Sequence, residues 1–426
     1  MNDITQSKSR FFLDGQWLFV MLCFITFLLP LMTGIGVFEN AWSVFWYEML
    51  FVSECIIFRF IQKREMRLPL KSIVFWLLVA WLVSITISFV FSPYDLLGEW
   101  LAISRYLQTI SHVLFCLCVM DFFLHYKGSS FLLSFVIPLS IFLLAFIFIG
   151  TWLSLDSPQI TNRYFWFRLP PLNINIRITG FLITAAISAL GPCFFQKPHR
   201  NAQWIALCFI SLILWGFLFW CGGRAAILSV FVAYGFLFII LVIKKIPVKT
   251  FVITTFLFVF GGIVLSEWFH VLPWNGVFQA AFRTLEAGGD LYKLATGRPR
   301  LWGEVVESIN QTHTWAFGLG SQGYYYMSNH TFGLNPHNLI FQFLAEWGLV
   351  GVLLFSSLLI YGFIKGLKFH VFNRAKEPSQ LFLATGAIIV SLGFHSLVSG
   401  IFYHSQPSFY MALAFAVWMV PQKKSR

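Results

Sequence analysis

Charge is what this sequence has least of. Asp, Glu, Lys and Arg make up 11% of its 426 residues while apolar types make up 58%; soluble domains carry about 25% charged residues. A soluble domain is excluded, and the few polar residues retained become the informative ones. The seven cysteines form no Cys-x-x-Cys and no cluster with histidine, and all lie within or at the edge of apolar runs. They read as small buried hydrophobes rather than as a disulfide framework or a zinc site. Alternation of apolar and polar residues over about ten positions, the mark of a membrane β-strand, is also missing.

Present instead are continuous apolar runs long enough to cross a hydrocarbon core, which takes roughly 20 helical residues. They extend from about Trp17 to Val37, Trp42 to Phe60, Ser72 to Phe91, Tyr106 to Leu124, Phe131 to Leu153, Ile178 to Phe195, Trp204 to Cys221, Ala225 to Ile243, Thr250 to Phe269, Leu339 to Ile364, Leu381 to Phe402 and Phe409 to Val420. Helix is the spanning structure that satisfies its own backbone in such runs. The expected fold is therefore all-α and integral to the membrane, with about twelve spans. Residues 1–269 hold spans one to nine, 270–336 a large outer loop with short helices, and 337–426 the last three spans.

Basic residues set the expected orientation. With the N-terminus inside, 20 of the 29 Lys and Arg residues fall in cytoplasmic segments, including Arg59 to Lys71, Lys244, Lys245, Lys249, and Lys365 to Lys376. The positive-inside bias puts both termini in the cytoplasm. The formal charge of +12 is then a topology signal, and nucleic acid is not an expected partner. No small-residue cleavage site follows the first run, so it is expected to stay as a helix rather than leave as a signal peptide.

The outer segments carry the chemistry. The stretch from His270 to Pro336 is too long for a simple connector. Within it Arg298 to Ile309 places Leu301, Val305 and Ile309 four apart, which predicts a helix with one apolar face. Gly318 to Pro336, rich in Gly, Ser, Asn and Tyr, reads as irregular chain over the outer surface. Arg224 follows Gly222-Gly223 at a helix start, where backbone N–H groups and a planar guanidinium both suit a phosphate. Alone it could as well reach for lipid headgroups, and the same holds for Arg298 and Arg300. Three outer arginine sites together (Arg168 or Arg177, Arg224, Arg298) point to a polyanionic ligand. His337 follows Pro336 and immediately precedes a span, where an imidazole titrating near neutrality can move a proton. Asn338 can orient its ring. Glu346, deeper in the same span, suits a bond to a neighbouring helix, and Tyr324, Tyr325 and Tyr326 are candidates for stacking on sugar rings or for anchoring at the interface.

Gly222-Gly223-Arg224-Ala-Ala-Ile-Leu-Ser, Gly297-Arg298 with Trp302, and His337-Asn338 followed by Glu346, Gly348 and Gly351 occur in that order around a late outer loop. This arrangement, over roughly Ile205 to Gly351, resembles the O-antigen ligase and polymerase superfamily. The segment His395-Ser396-Leu397-Val398-Ser399-Gly400 also resembles what these proteins carry near the C-terminus.

The resemblance implies a C-type glycosyltransferase of the bacterial inner membrane that takes a glycan from undecaprenyl diphosphate at the periplasmic face, without cofactor or metal. His337 would be the catalytic base, and Arg224, Arg298, Arg300, Arg177 and Asn338 would bind substrate. The outer acidic residues Asp95, Glu99, Asp156, Asp290, Glu304 and Glu307 are scattered and form no Asp-x-Asp pair, so arginine charge would stand in for a metal. Length and the single modest loop fit O-antigen ligase or O-antigen polymerase better than protein O-oligosaccharyltransferase, and of the two the ligase, with a lipid A-core acceptor, is the reading preferred. A lipid flippase or transporter is the remote alternative. It is expected to hold charge near mid-membrane, and the spans look nearly free of it.

Overall fold

The computed structural model describes residues 41–61, 73–125, 129–153, 176–195, 201–270, 276–290, 292, 297–327, 335–372, 379–400, 402 and 404–420. Among these residues the chain is helical and contains no strand. The helices are α1 (Ala41–Ile61), α2 (Ile73–Val90), α3 (Trp100–His125), α4 (Ser129–Leu153), α5 (Ile176–Leu190), α6 (Asn201–Trp220) and α7 (Arg224–Lys244). They are followed by α8 (Lys249–Trp268), α9 (Val277–Leu285), α10 (Arg298–Thr312), α11 (Leu339–His370), α12 (Gln380–Ser399) and α13 (Ser405–Trp418).

Seven of the described helices are long and apolar enough to cross a membrane: α2, α3, α6, α7, α8, α11 and α12. Shorter apolar helical stretches run over Ile141–Leu153, Thr179–Phe194 and Pro407–Trp418. Large side chains such as Trp76, Phe256 and Leu353 stand exposed on these helices, as expected where the surrounding solvent is lipid. The protein is a multi-pass membrane protein. The expected first span, Trp17 to Val37, lies outside the described residues, as do Arg163 and Arg168.

One core joins α4, α5, α6, α7 and α8 through Phe148, Trp215, Phe217 and Leu237. A second joins α1, α3 and α13 through Phe51, Phe115, Phe122 and Phe409. Helix α12 links them, since it packs against α5, α7, α11 and α13. Its role as the central pillar brings otherwise distant segments together at its C-terminal end.

The expectation that the spans are nearly free of charge is overturned. Glu48 on α1 is fully buried and accepts from Ser111 and from His112 Nδ1, the latter at 2.5 Å, both on α3. Arg59 on α1 grips Asp121 on α3 with Nε at 2.8 Å and Nη2 at 2.6 Å from Oδ2. Both clusters close between the same two helices. An apolar solvent leaves such groups few alternative partners, so they fasten the pair together.

Helix α11 is interrupted at Gly348, whose φ of 63° and ψ of −172° lie outside any helix. The segment Trp315–Gly320 lodges in the gap. Leu319 N donates to Ala345 O at 2.6 Å, Gly320 N to Glu346 O at 3.1 Å, Leu349 N to Trp315 O at 2.8 Å, and Val350 N to Ala316 O at 3.1 Å. Ser88 and Ser92 add bonds to Glu346 O at 2.5 Å and Leu319 O at 2.6 Å. Broken backbone is tolerated at membrane depth only when neighbouring protein restores its hydrogen bonds, and this strap does so. The described stretch Trp315–Gly320 is therefore woven into the bundle more deeply than its composition suggests.

Candidate functional site at one end of the bundle

Arg224 opens α7. Cys221 and Gly222 make the turn, with Gly222 at φ 61°, and extended Gly223 caps the helix. The half-buried Arg224 donates from Nη1 to Thr284 Oγ1 of α9 at 3.3 Å. Helix α9 is held against this turn from two sides. Gly276 N donates to Trp220 O at 3.0 Å, and Arg283 Nη2 to Gly222 O at 2.9 Å. Arg283 was not singled out from the sequence. The available signal was topological, because an arginine in the expected outer loop runs against the positive-inside bias, as Arg224 does under the same expectation.

Arg298 opens α10, after a left-handed Gly297 at φ 76°. As predicted, α10 buries Leu301, Val305 and Ile309 on one face. The Arg298 guanidinium donates from Nη1 to the Val398 carbonyl, close to the end of α12. Arg300 faces a different partner: its Nε lies 3.4 Å from Glu304 Oε1, one turn along the same helix.

His337 and Asn338 meet the same end of α12. Asn338 caps α11, its Oδ1 accepting from Ile340 N at 2.8 Å and Phe341 N at 3.3 Å. Its Nδ2 donates to Leu397 O at 2.6 Å. Both ends of this amide are engaged by backbone, so Asn338 fastens the start of α11 to the end of α12. His337 adopts φ 51°, a left-handed conformation uncommon outside glycine, and its N–H is held by Asn335 Oδ1 at 2.9 Å. Gly400, itself at φ 59°, lies so close that a Cβ there would come within 2.8 Å of His337 Cα. Trp302 completes the frame by donating to Pro336 O at 2.9 Å and stacking on Phe341 at 5.1 Å.

The two arginine segments converge through α5. Gly180 meets Ala226 of α7, with only 3.4 Å between a Cβ built on the glycine and that of the alanine. The next residue, Phe181, packs edge-on against His395 of α12 with 4.4 Å between ring centres. The start of α7 and the end of α12, with Arg298, His337 and Asn338 on the latter, thus belong to one end of the bundle. Arg177 occupies the first turn of α5, four residues before Phe181.

The tyrosines divide. Tyr324 is fully buried among Val305, Ile309, Leu319 and Met327, so its ring holds the loop to the bundle and cannot stack on a sugar. Tyr326 faces Glu99. Burial first, then that carboxylate, push its phenol up to about 12, so it stays protonated and donates to Glu99. Glu346 is buried, accepts from Gln342 Nε2 at 3.4 Å, and interacts with Arg105 of α3, in keeping with the interhelical role expected of it. No group of three metal-ligating side chains gathers among the described residues.

These features define a multi-pass helical membrane protein that assembles arginines and one strained histidine at a single end of its bundle. Residues 209–356 match the family model described as O-antigen ligase, and the match supports the O-antigen ligase and polymerase superfamily. The matched stretch contains α7, the loop with α9 and α10, and the start of α11 with His337. No curated protein matches the chain.

Proposed function

We propose that this protein is an O-antigen ligase. It transfers a glycan from undecaprenyl diphosphate to a sugar hydroxyl of lipid A-core at the periplasmic face of the inner membrane, with inversion and without metal. The observation that carries the reading is that Arg224, Arg298 and His337, from three separate chain segments, lie at the same end of the bundle, where α7 begins and α12 ends.

In this reading the segment 270–336 is the periplasmic loop. Arg224 and Arg298 grip the diphosphate, with Arg177, Arg283 and Arg300 adding positive potential around it. His337 takes the proton of the acceptor hydroxyl as its oxygen bonds to the anomeric carbon. The bond from that carbon to the phosphate oxygen breaks, and its electron pair leaves with the diphosphate. Fixed guanidinium groups stabilise the growing negative charge because they are already oriented before the reaction begins. Asn338, Asn335 and Gly400 hold the strained His337 backbone in place, which is where folded proteins tend to store such strain.

A polymerase would use the same clamp and base with another lipid-linked repeat as acceptor. The surface glycolipids of a deletion strain, separated by gel, discriminate the two. Long chains left unattached support the ligase, and single-repeat caps on lipid A-core would replace it with the polymerase. An unaltered pattern of both would overturn the whole reading.

A further inference from the structure

His395 lies inside this cluster without a part in the chemistry so far. It is 3% exposed on α12, one helical turn before Val398, whose carbonyl Arg298 holds. Phe181 covers one side of its ring. The Arg298 guanidinium is near enough to act on it electrostatically. Its Nδ1 is buried and has no hydrogen-bond partner among the described residues.

An orphaned imidazole nitrogen is costly in a folded protein, and native structures retain few of them. This chain fills comparable positions with phenylalanine, of which it has 52, so packing alone does not call for histidine here. Nor does the end of α12 need it, since Asn338 and Arg298 already occupy the Leu397 and Val398 carbonyls. What remains is a nitrogen without a partner among the described residues, one turn from the carbonyl that Arg298 holds, at the end of the bundle that also carries Arg224 and His337. An oxygen anion is the ligand both groups can serve at once.

We infer that His395 contacts the donor: its Nδ1–H donates to a phosphate oxygen of the prenyl diphosphate gripped by Arg298. This rests on the function proposed above and adds to it a second, deeper donor beneath the arginine. The imidazole supplies direction where the guanidinium supplies charge, and together they fix how far the diphosphate enters the bundle.

The test is equilibrium binding of geranylgeranyl diphosphate, with geranylgeraniol as the uncharged control, to the full-length protein in detergent. His395→Phe keeps the ring and loses the nitrogen, and is expected to weaken diphosphate binding about 10- to 100-fold while leaving the alcohol unaffected. His395→Asn places an amide where Nδ1 was and should retain most of the affinity, whereas His395→Gln places it further out and should not. Diphosphate binding by His395→Phe at the wild-type level, with Arg298→Ala weakened, overturns the inference and leaves the functional reading intact. Equal binding by wild type, Arg298→Ala and Arg224→Ala removes the diphosphate clamp and the inference with it. If His395→Phe does not fold, equal affinities for the Asn and Gln variants overturn the inference just as well.

Discussion

Arg298 and Asn338 donate to adjacent carbonyls, Val398 and Leu397, at the C-terminal end of the same helix. Residues forty apart in sequence are thereby fastened to one ridge of α12, with His337 seated on Gly400 between them. Cationic and amide donors at a helix C-terminus also meet the negative end of its dipole. The ridge is the structural basis for expecting separate roles from separate residues.

The first expectation concerns those roles. In a reconstituted transfer assay with lipid-linked glycan, His337→Ala should lose about 10² to 10⁴ in rate, as removal of a general base does, with donor binding nearly unchanged. Arg224→Ala and Arg298→Ala should weaken donor binding as well as turnover. Lysine in their place should rescue only in part, because it keeps the charge and loses the planar fork. Wild-type transfer by His337→Ala would reassign the base.

Asn338 offers a finer separation. Asn338→Ala loses the α11 cap and the bond to Leu397 together, a cap alone being worth about 1 kcal/mol. Asn338→Ser keeps a capping oxygen but has no amide to reach α12. If the bridge to α12 positions His337, both variants should lose turnover with little change in donor affinity. If the cap alone matters, Ser should behave as wild type.

The strap in α11 makes a stability prediction. Gly348 has a positive φ, and a Cβ there would come within 2.5 Å of Ala316 backbone atoms. Gly348→Ala should therefore lower the thermal midpoint in detergent, with a cost of at least ~1 kcal/mol from backbone strain alone. Gly393→Ala, where the nearest group is Met411 at 3.9 Å, is the matched control and should cost far less. Equal midpoints for the two variants would mean the strap adds nothing to stability.

Chelation tests the metal-independent chemistry. Transfer by purified protein should survive EDTA, since arginines rather than a bound cation are proposed to carry the diphosphate. Activity lost on chelation and restored by magnesium or manganese would point to a carboxylate site in place of the clamp.

Topology can be read directly with reporter fusions. Lys127, Lys245 and Arg374 should report the cytoplasm, and Thr161 and Ser328 the periplasm, as the distribution of Lys and Arg requires. A periplasmic signal at Lys245 would invert the order of the spans around α7 and α8.

Much of this protein is determined by the sequence alone because a membrane leaves the chain few choices. Continuous apolar runs become helices once there is no water to satisfy the backbone, and each expected run that falls among the described residues is met by a helix. The start of α7 and the extent of α10 were also legible, since Gly222-Gly223 and the four-residue spacing of Leu301, Val305 and Ile309 are local signals. The tertiary structure alone decided what meets what. Asn338 bridges to Leu397 of α12; Tyr324 looked like a sugar platform and is buried; Glu48 and His112 lie 64 residues apart and pair within the bundle. Those outcomes depend on which helices become neighbours, and in lipid that choice rests on side-chain packing and interhelical hydrogen bonds. Hydropathy sorts residues into the membrane but carries no information about which faces of the helices touch.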